Sequence, residues 1–152
     1  MYKVAVVIAE PSFTARKEQR RLTGYEQGML FEKAARAGLM PSDIQICTLD
    51  EPFDAHVVVP MGERALNAIC GKKSIYKWHL SPLDVIGHTG CRKAVPTFEF
   101  SSIWKDWHLG LYLEMALKRA AQNATPGPWV RKEERYAVGP SIEEAIEILR
   151  EL

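Results

Sequence analysis

The sequence has no paired cysteines, no internal repeat and no surplus of either charge. Its three cysteines, Cys47, Cys70 and Cys91, are isolated, and no C-x-x-C pair occurs. That spacing supports neither a zinc ribbon nor a disulfide framework. The four histidines, His56, His79, His88 and His108, lack metal-ligand spacing, and none belongs to a Ser-His-Asp pattern. No apolar run is long enough to span a bilayer, so no membrane partner is expected. The valine-rich start, MYKVAVVIAEPS, carries no small-residue cleavage site and reads as a strand rather than a signal peptide. A cytoplasmic setting is the resulting expectation.

What the chain does have is an ordinary globular composition, 47% hydrophobic and 26% charged over 152 residues, enough for one domain with a substantial core. The net charge of +1 hides an asymmetry. Residues 1–123 carry 16 Lys and Arg against 13 Asp and Glu, whereas residues 124–152 carry 4 against 6. The basic residues cluster at Arg16, Lys17, Arg20 and Arg21, at Lys72, Lys73 and Lys77, and at Arg92 and Lys93.

Residues 2–9 form a near-continuous apolar run ended by Glu10-Pro11, as in a strand covered on both faces. Residues 12–25 read as a long polar connection. Met29, Leu30, Ala34 and Ala37 predict a helix over 27–37, with Gly38 as its C-terminal cap. Strands follow at 44–49 and 55–60, and Met61-Gly62-Glu63 turns into a helix over 63–70 capped by Gly71. Residues 72–82 are basic and aromatic without a period and read as a loop. Residues 83–98 predict a hairpin around His88-Thr89-Gly90, leading through KAVPTFEF into a polar Ser101-Ser102 turn. A helix over 106–122, capped by Asp106, precedes the breaker-rich NATPGP at 123–128. Ser141 and Glu144 form a capping-box pattern ahead of a helix over 142–151. The order points to an α/β layer architecture. The expected division is a domain over 1–123, followed by a linker and C-terminal helix over 124–152.

Several of these segments together resemble the uracil-DNA glycosylase superfamily, especially its iron–sulfur branch and the related domains found with phage DNA polymerases. VVVPMGERALNAICGKKSIYKW (57–78) is similar to that family's strand–Gly–helix segment. KAVPTFEFSS (93–102) is similar to the strand leading into its His-Pro-Ser turn. AEPS (9–12), LTGYEQGMLFEKAARAGL (22–39) and ICTL (46–49) resemble the first motif, the segment after it and the second strand. The resemblance covers roughly residues 4–123 in the family's order. It implies a three-layer α/β/α fold around a mostly parallel four-stranded sheet. It also implies DNA as partner, as a single strand or as a duplex with a flipped base, and a DNA polymerase or other replication protein as a further partner. For a phage-encoded chain the setting would be the host cytoplasm.

The departures from the family bear on mechanism. Its catalytic histidine falls at Glu99 and the following proline at Phe100, while Ser101 matches the serine. The uracil-reading asparagine falls at Thr48, the base-stacking aromatic at Leu22, and Glu10 matches the first motif's acidic residue. The cluster cysteines are absent, so no cofactor is expected. Base excision must stabilise negative charge developing on the extruded base. A carboxylate at position 99 repels that charge, a threonine lacks the paired amide donor and acceptor, and a leucine does not stack. These substitutions argue against ordinary uracil excision.

Glu10 and Glu99, both at strand ends, are the candidate catalytic pair, and Leu22 and Thr48 the candidate base pocket. Ser12, Gly62, Ser101 and Ser102 are candidates for phosphate contacts through hydroxyls or backbone amides, with Lys73, Lys77 and Lys105 as a basic rim. Trp78, with Tyr76 and Trp104, is a candidate for stacking on bases. The plainer roles of these groups are turn chemistry, solvated charge and packing under loops. Three functions stay open: a DNA-binding accessory of replication or repair with degenerate or altered base chemistry, a glycosylase for a base other than ordinary uracil, and a protein-interaction module on the same scaffold.

Overall fold

The computed structural model of the chain describes residues 1–87, 90–130 and 141–151. Among the described residues there are five strands with helices: β1 (Tyr2–Ile8), α1 (Phe13–Lys17), α2 (Gly24–Arg36), β2 (Ile44–Thr48), β3 (Ala55–Met61), α3 (Glu63–Cys70) and α4 (Ile75–Trp78) come first. β4 (Leu83–Asp84), β5 (Lys93–Ala94), α5 (Phe100–Lys105), α6 (Leu109–Gln122) and α7 (Ile142–Arg150) complete the order.

The valine-rich β1 and β3 are buried on both faces, as their unbroken apolar runs require. They are the central strands of one sheet of order β2-β1-β3-β5-β4. All pairings are parallel except that of β4 with β5. The expected four-stranded sheet is therefore five-stranded: the short pair Leu83-Asp84 and Lys93-Ala94 adds an antiparallel edge. α2 and α6 pack together, with α6 against β1 and β3, while α3 packs on β3. The β1-to-β2 and β3-to-β5 connections step in opposite directions across the sheet. Right-handed crossovers place α2 and α3 on opposite faces. The protein is thus an α/β fold with helices on both faces of a mostly parallel sheet. Among the described residues no helix is long and apolar enough to cross a membrane.

One connection is unusual. β2 and β3 run parallel, yet residues 49–54 join them without a helix, where such a crossover ordinarily takes about a dozen residues or more. The segment turns over 49–51 and then runs back along β2. Gln45 holds it with both ends of its amide, accepting from the Asp54 N–H at 2.8 Å and donating to the Pro52 carbonyl at 3.3 Å. Phe53 packs against the core.

Several boundaries differ from the sequence reading. The expected connection over 12–25 contains α1, and α2 starts at Gly24, because Thr23 and Glu26 form a capping box. α4 occupies part of the expected loop 72–82. Ser101 and Ser102 do not form a turn: they lie in α5, a short helix that starts directly after Glu99. Asp106 ends α5 instead of capping α6, and its carboxylate accepts from the His108 N–H at 3.2 Å. The expected strand over 93–98 pairs regularly only at Lys93-Ala94, though Thr97 still bridges Met61. His88 and Thr89 of the expected hairpin turn, and residues 131–140, lie outside the described residues. Ser141 caps α7 as expected, accepting from the Glu144 N–H at 3.2 Å.

Lys93 is buried rather than part of a basic surface. Its ammonium donates to the Asn123 carbonyl at 2.7 Å and to the Thr125 hydroxyl at 3.2 Å. Desolvation lowers its pKa. Trp129 donates to the Leu83 carbonyl at 2.8 Å. The segment after α6 is thereby fastened to the β4–β5 edge.

Candidate functional site

The strand register decides which residues share an edge. Ile8 stands opposite both Thr48 and Met61, and Met61 opposite Thr97. Glu10, Leu49, Gly62 and Glu99 follow these positions by one or two residues. They all lie at the carboxyl edge of the sheet, where open α/β folds bind ligands. α3 begins at that edge directly after β3, α5 begins there just after Thr97 and Glu99, and α1 follows the end of β1.

Gly62 turns β3 into α3 with φ 88° and ψ 174°, a conformation that is essentially glycine's alone. Its N–H donates to the Thr97 carbonyl at 2.9 Å. A Cβ at this position would stand 3.0 Å from Glu99 Oε2. The Glu99 side chain therefore lies directly over the start of α3, where the helix dipole favours a negative group. At the second position of α3, Arg64 pairs with Glu10 at 3.2 Å. Glu63 accepts from the Ile75 N–H at 3.3 Å, which draws α4 back to the same edge. Along α3, beside Leu49 and Lys73, lies an open crevice of about 500 Å³ lined further by Glu63, Arg64, Asn67 and Ala68.

Aromatic side chains border this edge. Tyr25, in the first turn of α2, meets Trp104 of α5 with 5.0 Å between ring centres, and both are solvent-exposed. Tyr76 of α4 is exposed and stands edge-on to buried Phe98 at 5.2 Å. Such rings, each with free surface, suit stacking against planar groups.

A second depression of about 660 Å³ opens around α1 and the segment after it, lined by Pro11, Arg16, Gln19, Arg20, Arg21, Leu22, Gln27, Ile46 and Glu51. Arg21 donates from Nε to both Glu51 oxygens at 2.8 and 2.9 Å and also from Nη2. Glu51 further accepts from the Thr48 hydroxyl at 3.0 Å. The Arg21 hydrogen bonds hold the Glu51 carboxyl down at about 2, and those to Glu51 raise Arg21.

The residues singled out in the sequence divide among these features. Glu10 and Glu99 share the edge, Glu10 engaged by Arg64 and Glu99 seated on Gly62. Leu22 is buried in the wall of the arginine-lined cleft, whereas Thr48 lines a different, smaller depression with Val7 and Leu49. Ser12 caps α1, accepting from the Ala15 N–H at 3.2 Å and donating to Glu26 at 3.4 Å. The Gly62 N–H is taken by Thr97. Lys73 lines the crevice. Trp78 packs against the core with the Lys72 and Lys77 ammoniums over its ring at 4.9 and 5.4 Å. Ser101 is exposed and Ser102 half-buried in the first turn of α5, and Lys105 is exposed at its end.

Two edge residues escaped the sequence reading. Arg64 is the second residue of the helix after Gly62, a position that a strand–Gly–helix turn marks for the ligand edge. Tyr25 sits inside the Thr23–Glu26 capping box, whose T-x-x-E spacing was legible. The buried thiols offer no nucleophile. Desolvation pushes Cys47 up to about 11 and Cys70 up to about 12, and it raises Cys91. No protein-family model matches the sequence, and no curated protein matches it either.

Proposed function

We propose that the chain is a DNA-binding domain that receives an unpaired nucleotide or single strand along the carboxyl edge of its sheet, on a scaffold resembling the uracil-DNA glycosylases. The observation that carries the reading is the joining of three features at one edge. These are the crevice with Arg64 and Lys73, the exposed Tyr25–Trp104 pair, and α5 (Phe100–Lys105), which starts directly after Glu99 and carries Ser101 and Lys105. Cationic side chains track a phosphate backbone, and aromatic faces stack on bases without regard to sequence.

The same edge supports binding better than excision. Glu99 brings negative charge to the place where a glycosylase donates to a departing base anion. Glu10 is engaged by Arg64, and the Thr48 hydroxyl is committed to Glu51. On this reading the domain handles DNA for replication or repair and has lost or altered the base chemistry.

Fluorescence anisotropy with a short labelled single strand, titrated with salt, tests the reading. Trp104→Ala is expected to lose about 1–3 kcal/mol of binding. Lys73→Ala is expected to reduce the salt slope by about one unit. Wild-type affinity and slope in both variants, or no affinity at low salt in the parent chain, would refute it.

A further inference from the structure

We propose that the arginine-lined cleft between α1, α2 and the β2 edge is a second site, which takes a phosphomonoester attached to a planar ring, that is, a mononucleotide. The proposal concerns a depression that shares no lining residue with the crevice, and it does not depend on strand binding there.

The charge of the cleft comes first. Three guanidiniums, Arg16, Arg20 and Arg21, face a single lining carboxylate, Glu51, which leaves a surplus of two positive charges. Arg21 and Glu51 satisfy each other through a two-pronged contact. Arg16 has no carboxylate partner among the described residues. Arg20 gives Nη2 to the neutral Gln27 oxygen at 3.0 Å, and its Nη1 reaches Glu18, outside the cleft lining, only at 4.0 Å. Unbalanced charge in a concave site focuses its field on an incoming anion. Guanidinium forks match phosphate oxygens in geometry as well as charge. A surplus of two matches a terminal phosphate, with its charge of about −2, better than a singly charged phosphodiester.

The shape comes second. Pro11, Leu22 and Ile46 supply apolar surface among the arginines. The volume of about 660 Å³ falls in the range of small-ligand sites. Apolar surface with cations around it suits a flat ring that carries its charge at one end.

Preorganisation comes third. α1 ends in a Schellman motif, with Arg20 N–H donating to the Ala15 carbonyl at 2.8 Å and Gln19 N–H to the Arg16 carbonyl at 3.0 Å. Gln19 occupies the left-handed position with φ 56°. Gln27 on α2 steadies Arg20, and Glu51 steadies Arg21, so two of the three guanidiniums are oriented before any ligand arrives.

Isothermal titration of the full chain at low salt with thymidine 5′-monophosphate, thymidine and inorganic phosphate tests the site. The monophosphate is expected to bind, with each fragment weaker by about tenfold or more. Arg16→Ala with Arg20→Ala is expected to lower monophosphate affinity by about tenfold, and Arg16→Glu alone by a similar factor. Lys73→Ala, at a residue that lines the crevice and not this cleft, is expected to leave it unchanged. Oligonucleotides with a 5′-phosphate or a 5′-hydroxyl then separate the sources. Tighter binding of the phosphorylated strand identifies a strand end as the ligand, and equal binding identifies the free nucleotide. Monophosphate binding no tighter than thymidine binding, or unaffected by either arginine variant, would overturn the proposal even if single-strand affinity remained.

Discussion

Replacing Gly62 by alanine tests whether Glu99 really covers the start of α3. Two costs act at this position. The backbone conformation, φ 88° and ψ 174°, is strained for any residue with a Cβ, at about 1–3 kcal/mol. The new Cβ would also stand 3.0 Å from Glu99 Oε2, 3.1 Å from its Cβ and 3.2 Å from its Cδ. Glu99 must shift off the helix start to make room, which adds about 1 kcal/mol. Gly62→Ala is therefore expected to lose about 2–4 kcal/mol in total. The two costs separate in a double-mutant cycle with Glu99→Gly. Glycine is acceptable as the N-cap of α5, and it removes all three crowding atoms while leaving the strain at 62. Urea denaturation of the four proteins, extrapolated linearly, gives the coupling, expected at about 1 kcal/mol in the relieving direction. A Gly62→Ala loss below about 0.5 kcal/mol would refute the strain argument. Zero coupling would mean that Glu99 does not lie on α3, and the geometry assigned to the ligand edge would fail with it.

Two further outcomes follow from local geometry. Gln19→Gly is expected to stabilise the chain by about 0.5–1 kcal/mol, the left-handed penalty at φ 56° less the added freedom of glycine when unfolded; thermal unfolding checks it, and a lower midpoint would count against the Schellman assignment. Glu51 is held from 4.5 down to about 2 by Arg21, so its contribution is present above about pH 4.5 and is lost as pH falls towards 2; the gap in stability between the parent and Glu51→Gln, about 1 kcal/mol after allowing for its partial exposure, should close over that interval in acid denaturation, and a gap constant with pH would contradict it.

The elements legible in the sequence are those whose signals are local. The apolar runs of β1 and β3 show two-sided burial directly. Gly62 and Gly71 mark both ends of α3, and Ser141 with Glu144 marks the start of α7. The misplaced boundaries each involve a signal that another one masked. Thr23 and Glu26 form the same kind of box as Ser141 and Glu144, but the basic run before them reads as loop. Ser101-Ser102 reads as a turn from composition, yet Glu99 leaves the chain extended at its N-cap and Phe100 and Ile103 bury one face of a helix. Lys93 reads as one of a basic pair, because nothing local shows that the Asn123 carbonyl and Thr125 hydroxyl, about thirty residues later, receive its ammonium. The edge residues were placed in order by the strand pattern. What that pattern could not reveal was the pairing among them, Glu10 with Arg64 and Thr48 with Glu51, which depends on the twist of a sheet and the path of a crossover.

That crossover bears on why the carboxyl edge carries separate depressions instead of one pocket. Residues 49–54 return directly from β2 to β3, so Glu51 leaves the end of β2 early enough to meet Arg21 coming from the α1–α2 connection. The contact ties that connection to the segment after β2, and Leu22, next in sequence to Arg21, is buried. It also occupies the Thr48 hydroxyl, and Leu22, in the α1–α2 connection, and Thr48, at the end of β2, line different depressions. The segment after β1 serves both: Glu10 joins Arg64 of the crevice, while Pro11 lines the arginine cleft. A ligand that needed one enclosed pocket across the end of β1 would meet the Arg21–Glu51 contact in its path. Ligands that occupy either side separately would not, and this is the physical reason for assigning the two depressions to two different partners.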